Sequence, residues 1–206
     1  MVVSSAGAVA VTAARVASGS MSSSTGDERD VVLAEGRFLR LIRRGRWEFV
    51  QRTNNSGVVG IIATTDDGRL VLVEQWRPPV GKRCIELPAG LVGDEDPAEE
   101  AAVSAARELE EETGYRARSM QYLTEGVSSA GLTGETLMLF RAKGLEKVHE
   151  GGGTEGEKIQ VHAVPLEEVP AFVRRRISEG LAVDMKVWTA LWFAAVDRSP
   201  AVEGHV

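Results

Sequence analysis

Gly93-Asp-Glu-Asp-Pro-Ala-Glu99, continued by Arg107-Glu-Leu-Glu-Glu-Glu-Thr-Gly-Tyr115, is the stretch on which the reading of this chain turns. It spaces its residues as G-x5-E-x7-R-E-φ-x-E-E-x-G-φ, with φ apolar. On a helix Glu108 and Glu112 are i,i+4 neighbours, and Glu111 stands beside them at i+3. Carboxylates crowded on one helical face repel one another unless a cation lies between them. Hard oxygen donors of this kind suit Mg²⁺, which keeps several waters and also takes phosphate oxygens. The same letters specify the helix. Asp96 suits the N-cap, Pro97 the first helical position and Glu99 the N3 position of a capping box, while Gly114 suits C′. Ala102, Ala105, Ala106, Leu109 and Thr113 would form its small apolar face against a sheet.

Working outward, 206 residues with 43% apolar content suffice for one good core. A net charge of −6 argues against a binder of nucleic-acid backbones, which shows a basic face. No apolar run reaches membrane-spanning length. The single Cys84 permits no internal disulfide, which is compatible with a reducing, cytoplasmic compartment, and reads as a buried inert thiol. His149, His162 and His205 lack metal-ligand spacing. Residues 1–30 are rich in Ser, Ala, Val and Gly and read as a disordered tail; organelle targeting by this tail stays open as an alternative that the single Arg15 supports only weakly.

Residues 31–57 read as a β-rich N-terminal element. It holds one strand over Val31–Ile42 and another over Arg46–Arg52, across the turn at Arg43 to Gly45. Residues 58–198 read as the main domain, followed by a tail at 199–206. Val58–Thr64 and Arg69–Gln75 are expected to form a hairpin across Asp66-Asp67-Gly68. Arg83–Leu87, Met120–Thr124, Thr136–Ala142 and Lys158–Pro165 are further expected strands. Leu166–Glu179 and Met185–Asp197 are expected helices. The fold class is thus α/β (α+β), with a mixed sheet.

The spacing around Gly93 to Tyr115 resembles the Nudix box of hydrolases that cleave a nucleoside diphosphate linked to another group, and it matches at every fixed position. That resemblance implies an α/β/α sandwich and a Mg²⁺ cofactor, with Mn²⁺ as a substitute. The flanking run Glu74-Gln-Trp-Arg-Pro-Pro-Val-Gly-Lys-Arg-Cys-Ile-Glu-Leu-Pro-Ala-Gly-Leu91 is similar to the segment before the box in ADP-ribose and ADP-sugar pyrophosphatases. The likeness extends to Trp47–Arg52, Gly131-Leu-Thr and Gly156-Glu157.

By this resemblance Glu108, Glu111 and Glu112, with the carbonyl of Ala89, would hold metal. Arg77 would hold diphosphate oxygens, for which a guanidinium fork is well shaped. Trp47 would stack on adenine, Arg52 would lie near the ligand, and Glu135 would reach the site. The general base would lie in Gly151-Gly-Gly-Thr-Glu-Gly-Glu157, at Glu157 or, second, Glu155, with Glu111 also counted in the catalytic group. The glycines of that loop would let it swing over a bound substrate. The family exchanges its N-terminal sheet across a homodimer, so a site shared between subunits is expected. The expected partner is a small nucleoside-diphosphate sugar, with neither nucleic acid nor membrane. One departure stands out. Ala130 occupies a position where the ADP-ribose branch commonly has proline, which keeps GDP-mannose, other nucleotide sugars and oxidised nucleoside diphosphates in view. The complete set of box glutamates argues against a non-catalytic ADP-ribose-binding module.

Overall fold

The computed structural model describes residues 29–53, 57–93, 98–154 and 156–197. Its elements run β1 (Val31–Glu35), β2 (Leu39–Arg44), β3 (Trp47–Arg52), β4 (Val58–Ala63), β5 (Arg69–Arg77), β6 (Lys82–Glu86), β7 (Ala89–Leu91) and α1 (Ala101–Thr113). Then follow β8 (Tyr115–Val127), β9 (Thr136–Lys147), β10 (Gln160–Pro165), α2 (Val169–Ser178), β11 (Ala182–Val183) and α3 (Lys186–Asp197). Strands β1-β2-β3 form an antiparallel sheet. The remaining strands make two four-stranded sheets, ordered β10-β5-β6-β11 and β7-β4-β9-β8.

Two apolar clusters lie on opposite sides of these sheets. Ala105 and Leu109 of α1 pack with Val59, Ile61, Val71 and Phe140. Val169, Phe172 and Val173 of α2 and Val187 and Ala190 of α3 pack with Leu70, Leu72, Ile85 and Leu139. This is the expected α/β/α arrangement, and both four-stranded sheets are mixed: β4 runs parallel to β9 and antiparallel to β7, and β6 runs parallel to β11 and antiparallel to β5. Strands β4 and β5 are covered on both faces, so they read as apolar runs rather than as alternations.

Four expectations are corrected. The turn before Arg69 is present, with Gly68 at φ 81°, but β4 and β5 share only the bridge Thr64–Leu70 and do not form a hairpin ladder. Each strand is buried on both faces, and each finds its pairing partners in a different sheet. The first expected strand is two, β1 and β2, because Gly36 N–H turns back to the Leu39 carbonyl at 2.8 Å. Helix α1 begins at Ala101 with Glu100 as N-cap, so Glu99 precedes the helix instead of occupying N3. Its carboxylate accepts from Ser104 Oγ at 2.6 Å and from Arg107, partners that hold it off the helix N-terminus. The expectations for Asp96, Pro97, Glu155 and residues 1–28 fall outside the described residues.

The fourth correction concerns Gly151, Gly152 and Gly153. They have φ of 73°, 117° and 83° and lie against the end of α1. Gly152 N–H donates to the Glu112 carbonyl at 2.9 Å and Gly153 N–H to the Glu111 carbonyl at 3.1 Å. A Cβ on Gly151 would overlap the backbone of Thr113. These glycines serve close backbone approach and left-handed geometry, satisfying carbonyls that every helix end leaves open. At 151–153 they clasp the start of the loop to the end of α1.

Candidate active site

Two of the carboxylates of the acidic helix are turned away from solvent. Glu108 and Glu112 are buried, at 9% and 6% exposure, because their edge of α1 lies beneath β7. Ala89 N–H donates to Glu112 Oε2 at 3.1 Å. Gly90 makes the approach possible, since a Cβ there would fall inside the Glu108 carboxylate. Burial pushes the Glu112 carboxyl up to about 8; nearby Glu108 and Glu157 push the same way, against the Ala89 hydrogen bond and Arg77. Arg107 fans across three carboxylates, reaching Glu99 at 3.2 Å, Glu108 at 3.1 Å and Glu111 at 3.3 Å.

The opposite wall comes from the hairpin β5–β6. Gln75, Arg77, Cys84 and Glu86 share one face, by strand alternation, and line the cleft. Arg77 binds Glu86 in a two-point pair at 2.7 and 2.6 Å, which fixes its guanidinium plane. Cys84 has its thiol pushed up to about 12, first by burial and then by Glu86, which keeps it protonated and inert. At the rim Arg52 of β3 donates to Glu135 at 2.7 Å, tying the N-terminal sheet to the loop before β9. Val50 N–H adds a bond to the Leu132 carbonyl at 2.9 Å.

One cleft of about 940 Å³ is thus lined by Arg52, Arg77, Ala89, Glu108, Glu112, Glu135 and Glu157. Seven of the residues singled out from the sequence meet there. Two others do not. Glu111 is held by Arg107 and does not line the cleft. Trp47 stands at the start of β3, 56% exposed and away from the cleft. Sequence reasoning gave no role to Glu86, Gly90, Asp184 or Lys186. Glu86 and Gly90 sit inside the quoted run before the box, and their charge and lack of a side chain were the available signals. Asp184 and Lys186, paired with each other, enter by the short parallel pairing of β11 with β6. No local pattern announces so short a strand.

A family profile described as NUDIX domain matches residues 55–182, more than half of the chain. The chain belongs to the Nudix family. Over 121 residues it is 36% identical to a methanol dehydrogenase activator of Bacillus methanolicus and 36% identical to an ADP-ribose pyrophosphatase of Bacillus subtilis (strain 168). Each match covers 58% of this chain and spans 64% of the length of the relative. A solved structure described as an ADP compounds hydrolase is similar in fold, with a TM-score of 0.56 and 20% identity over 69% of this chain and 80% of that one.

Nudix hydrolases use a divalent metal, and the residues here fit one. Among the described residues no three His, Cys, Asp or Glu side chains are gathered tightly enough to hold an ion by themselves. Two buried carboxylates, Glu108 and Glu112, nonetheless lie together against the Ala89-Gly90 backbone, and burial together with the Glu108 and Glu157 charges disfavours the ionised form of Glu112. Such a sparse, all-oxygen set suits an ion that retains waters and shares phosphate oxygens. Among the described residues, no helix is long and apolar enough to cross a membrane.

Proposed function

We propose that this Nudix protein hydrolyses the diphosphate bond of ADP-ribose or a related ADP-sugar, giving AMP and a sugar phosphate, with Mg²⁺ as its metal. The observation that carries the reading is the pairing of the buried carboxylates Glu108 and Glu112 with a rigidly held Arg77 in one cleft. The similarity to the pyrophosphatase of Bacillus subtilis supports the substrate class.

In this reading Glu108 and Glu112, with the Ala89 carbonyl, hold the ion, and Glu111, paired with Arg107 outside the cleft lining, joins the set through water. A divalent ion there would activate water and neutralise phosphate oxygens. Arg77, oriented by Glu86, binds the diphosphate through its remaining N–H groups. Glu157 takes the proton from the attacking water, whose oxygen forms the new P–O bond as the bridging P–O bond breaks. For ADP-ribose the products are AMP and ribose 5-phosphate. Arg52 and Glu135 border the end of the cleft nearest the N-terminal sheet and serve the nucleoside.

Trp47 takes its role from a second copy of the chain. The N-terminal sheet exposes Val32 and Trp47 on the face that also holds Ile42 and Phe49, and this is the face proposed to meet a partner subunit. A homodimer with exchanged strands would bring Trp47 to a neighbouring cleft as an adenine platform. Ala130 favours one second reading, the same chemistry on another nucleoside-diphosphate sugar. A panel of such sugars with Mg²⁺ or Mn²⁺, with products identified by chromatography, decides between them. ADP-ribose turned over fastest, yielding AMP, is the expected result; preference for a GDP- or CDP-linked compound would replace it.

A further inference from the structure

Glu157 is exposed, yet it is not loosely held. Thr154 N–H donates to Glu157 Oε2 at 3.0 Å, and Thr154 Oγ1 reaches the same oxygen at 3.3 Å. Glu157 N–H returns a bond to the Thr154 carbonyl at 3.1 Å. A Cβ on Gly153 would overlap the Glu157 carboxylate, so this residue too must be glycine for the side chain to lie where it does. Both side-chain bonds fall on Oε2. Among the described residues no donor is bonded to Oε1, which keeps its capacity to accept.

The next peptide is held from the other side. Arg83 donates from Nη2 to the Lys158 carbonyl at 3.3 Å and to the Glu74 carbonyl at 2.9 Å, while its Nε donates to Glu74 Oε1 at 2.5 Å. Glu74 is 3% exposed and is also bound by Arg176 and His162. Arg83 therefore couples a buried ionic knot in β5 and β6 to the loop that ends in Glu157. The start of that loop is fastened to the end of α1 by Gly152 and Gly153.

We propose that Thr154 and Arg83 are positioning residues for Glu157, fixing its carboxylate relative to the Glu108 and Glu112 pair. Thr154 sets which oxygen faces the reacting water, and Arg83 sets the height of the loop above β6. The inference rests on the reading of Glu157 as the general base. A carboxylate freed to wander by about 1 Å loses much of its catalytic value, since misplacement on that scale costs up to about a hundredfold.

The test is steady-state kinetics of the full chain on ADP-ribose with Mg²⁺, with melting temperatures recorded for every variant. Thr154→Val keeps the side-chain shape and removes the hydroxyl bond; it should lower kcat about tenfold and leave KM within about twofold. Thr154→Ser should restore the rate. Arg83→Gln should lower kcat similarly. Arg176→Gln cuts the same knot without touching the loop, and should lower the melting temperature while leaving kcat and KM in place. A normal kcat in Thr154→Val, no rescue by serine, or an equal kcat loss in Arg176→Gln and Arg83→Gln would each overturn the proposal. Glu157→Gln separates the two levels. A normal kcat there overturns the base itself and this inference with it, whereas a crippled Glu157→Gln beside a normal Thr154→Val overturns only the inference.

Discussion

Glu112 carries most of the electrostatic tension in the cleft. Its carboxyl is pushed up to about 8 in the folded chain from an ordinary 4.5, chiefly by burial. A raised folded-state value means that the folded protein binds the proton more tightly than the unfolded chain. The stabilising contribution is complete below about pH 4.5 and is lost as pH rises through 8. Metal-free protein should therefore lose stability from this group across that window, and Glu112→Gln should remove the loss. Each kcal/mol recovered raises the melting temperature by about 2–4 °C in a domain of this size. Added Mg²⁺ should stabilise the unmodified chain and leave the variant nearly unmoved, while turnover of ADP-ribose by the variant falls more than about a hundredfold. Thermal melts with and without chelator check the first part, and equal Mg²⁺ stabilisation of both proteins would remove Glu112 from the metal site.

Helix α1 depends on how its C-terminal end is closed. Gly114 takes φ 69°, sends its N–H to the Glu110 carbonyl at 2.7 Å, and lies so close to His149 that a Cβ would overlap that carbonyl. Lys147 Nζ adds a bond to the Thr113 carbonyl at 2.9 Å. Gly114→Ala should cost about 1–3 kcal/mol, from left-handed strain plus the forced retreat of the 149–153 segment. Urea unfolding measures it; a cost below about 0.5 kcal/mol would mean the clasp is dispensable. This helix also shows what the sequence could reveal. Its C′ glycine and the burial of Ala105 and Leu109 follow from local pattern. Burial of Glu108 and Glu112 does not, because it depends on β7 crossing over them with Gly90 at the contact. The same limit applies to β4 and β5. Their turn was legible in Asp66-Asp67-Gly68, but a turn does not say whether the two strands stay paired or enter different sheets. The glycines at 151–153 signalled freedom, whereas tertiary contact uses them for close approach.

At the scale of the molecule, two devices join parts distant in sequence. The first is the Glu74 knot, which ties β5, β6, β10 and α2. Burial alone would raise the Glu74 carboxyl, but hydrogen bonds from Arg83, Arg176 and His162 outweigh it and hold the group below its ordinary 4.5. His162 is also lowered from 6.5, because burial outweighs the pull of Glu74. Both folded-state values lie below the unfolded ones, so both contributions are present at neutral pH and are lost in acid, from about 6.5 downward for His162 and from about 4.5 downward for Glu74. Melts between pH 4 and 7.5 are best made in the Glu112→Gln background, which lacks the opposing slope. Replacing His162 by Asn should there flatten the upper part of the acid decline, and an unchanged profile would exclude the knot as its source. The second device is the N-terminal sheet, whose anchorage on the main body runs through Val50 to Leu132 and Arg52 to Glu135. Val32 and Trp47 are exposed on one face of it, the face proposed to meet a partner subunit. Val32 is 49% exposed in mid-strand, opposite Ile42, so a charge there burdens an interface far more than the monomer. In the proposed strand-exchanged dimer, Val32→Glu should shift sedimentation from dimer to monomer and raise KM for ADP-ribose about tenfold or more through loss of the partner's Trp47, while kcat at saturation falls much less. Trp47→Ala should raise KM without changing the oligomeric state. A monomeric Val32→Glu variant with an unaltered KM would show that each cleft is complete within one chain.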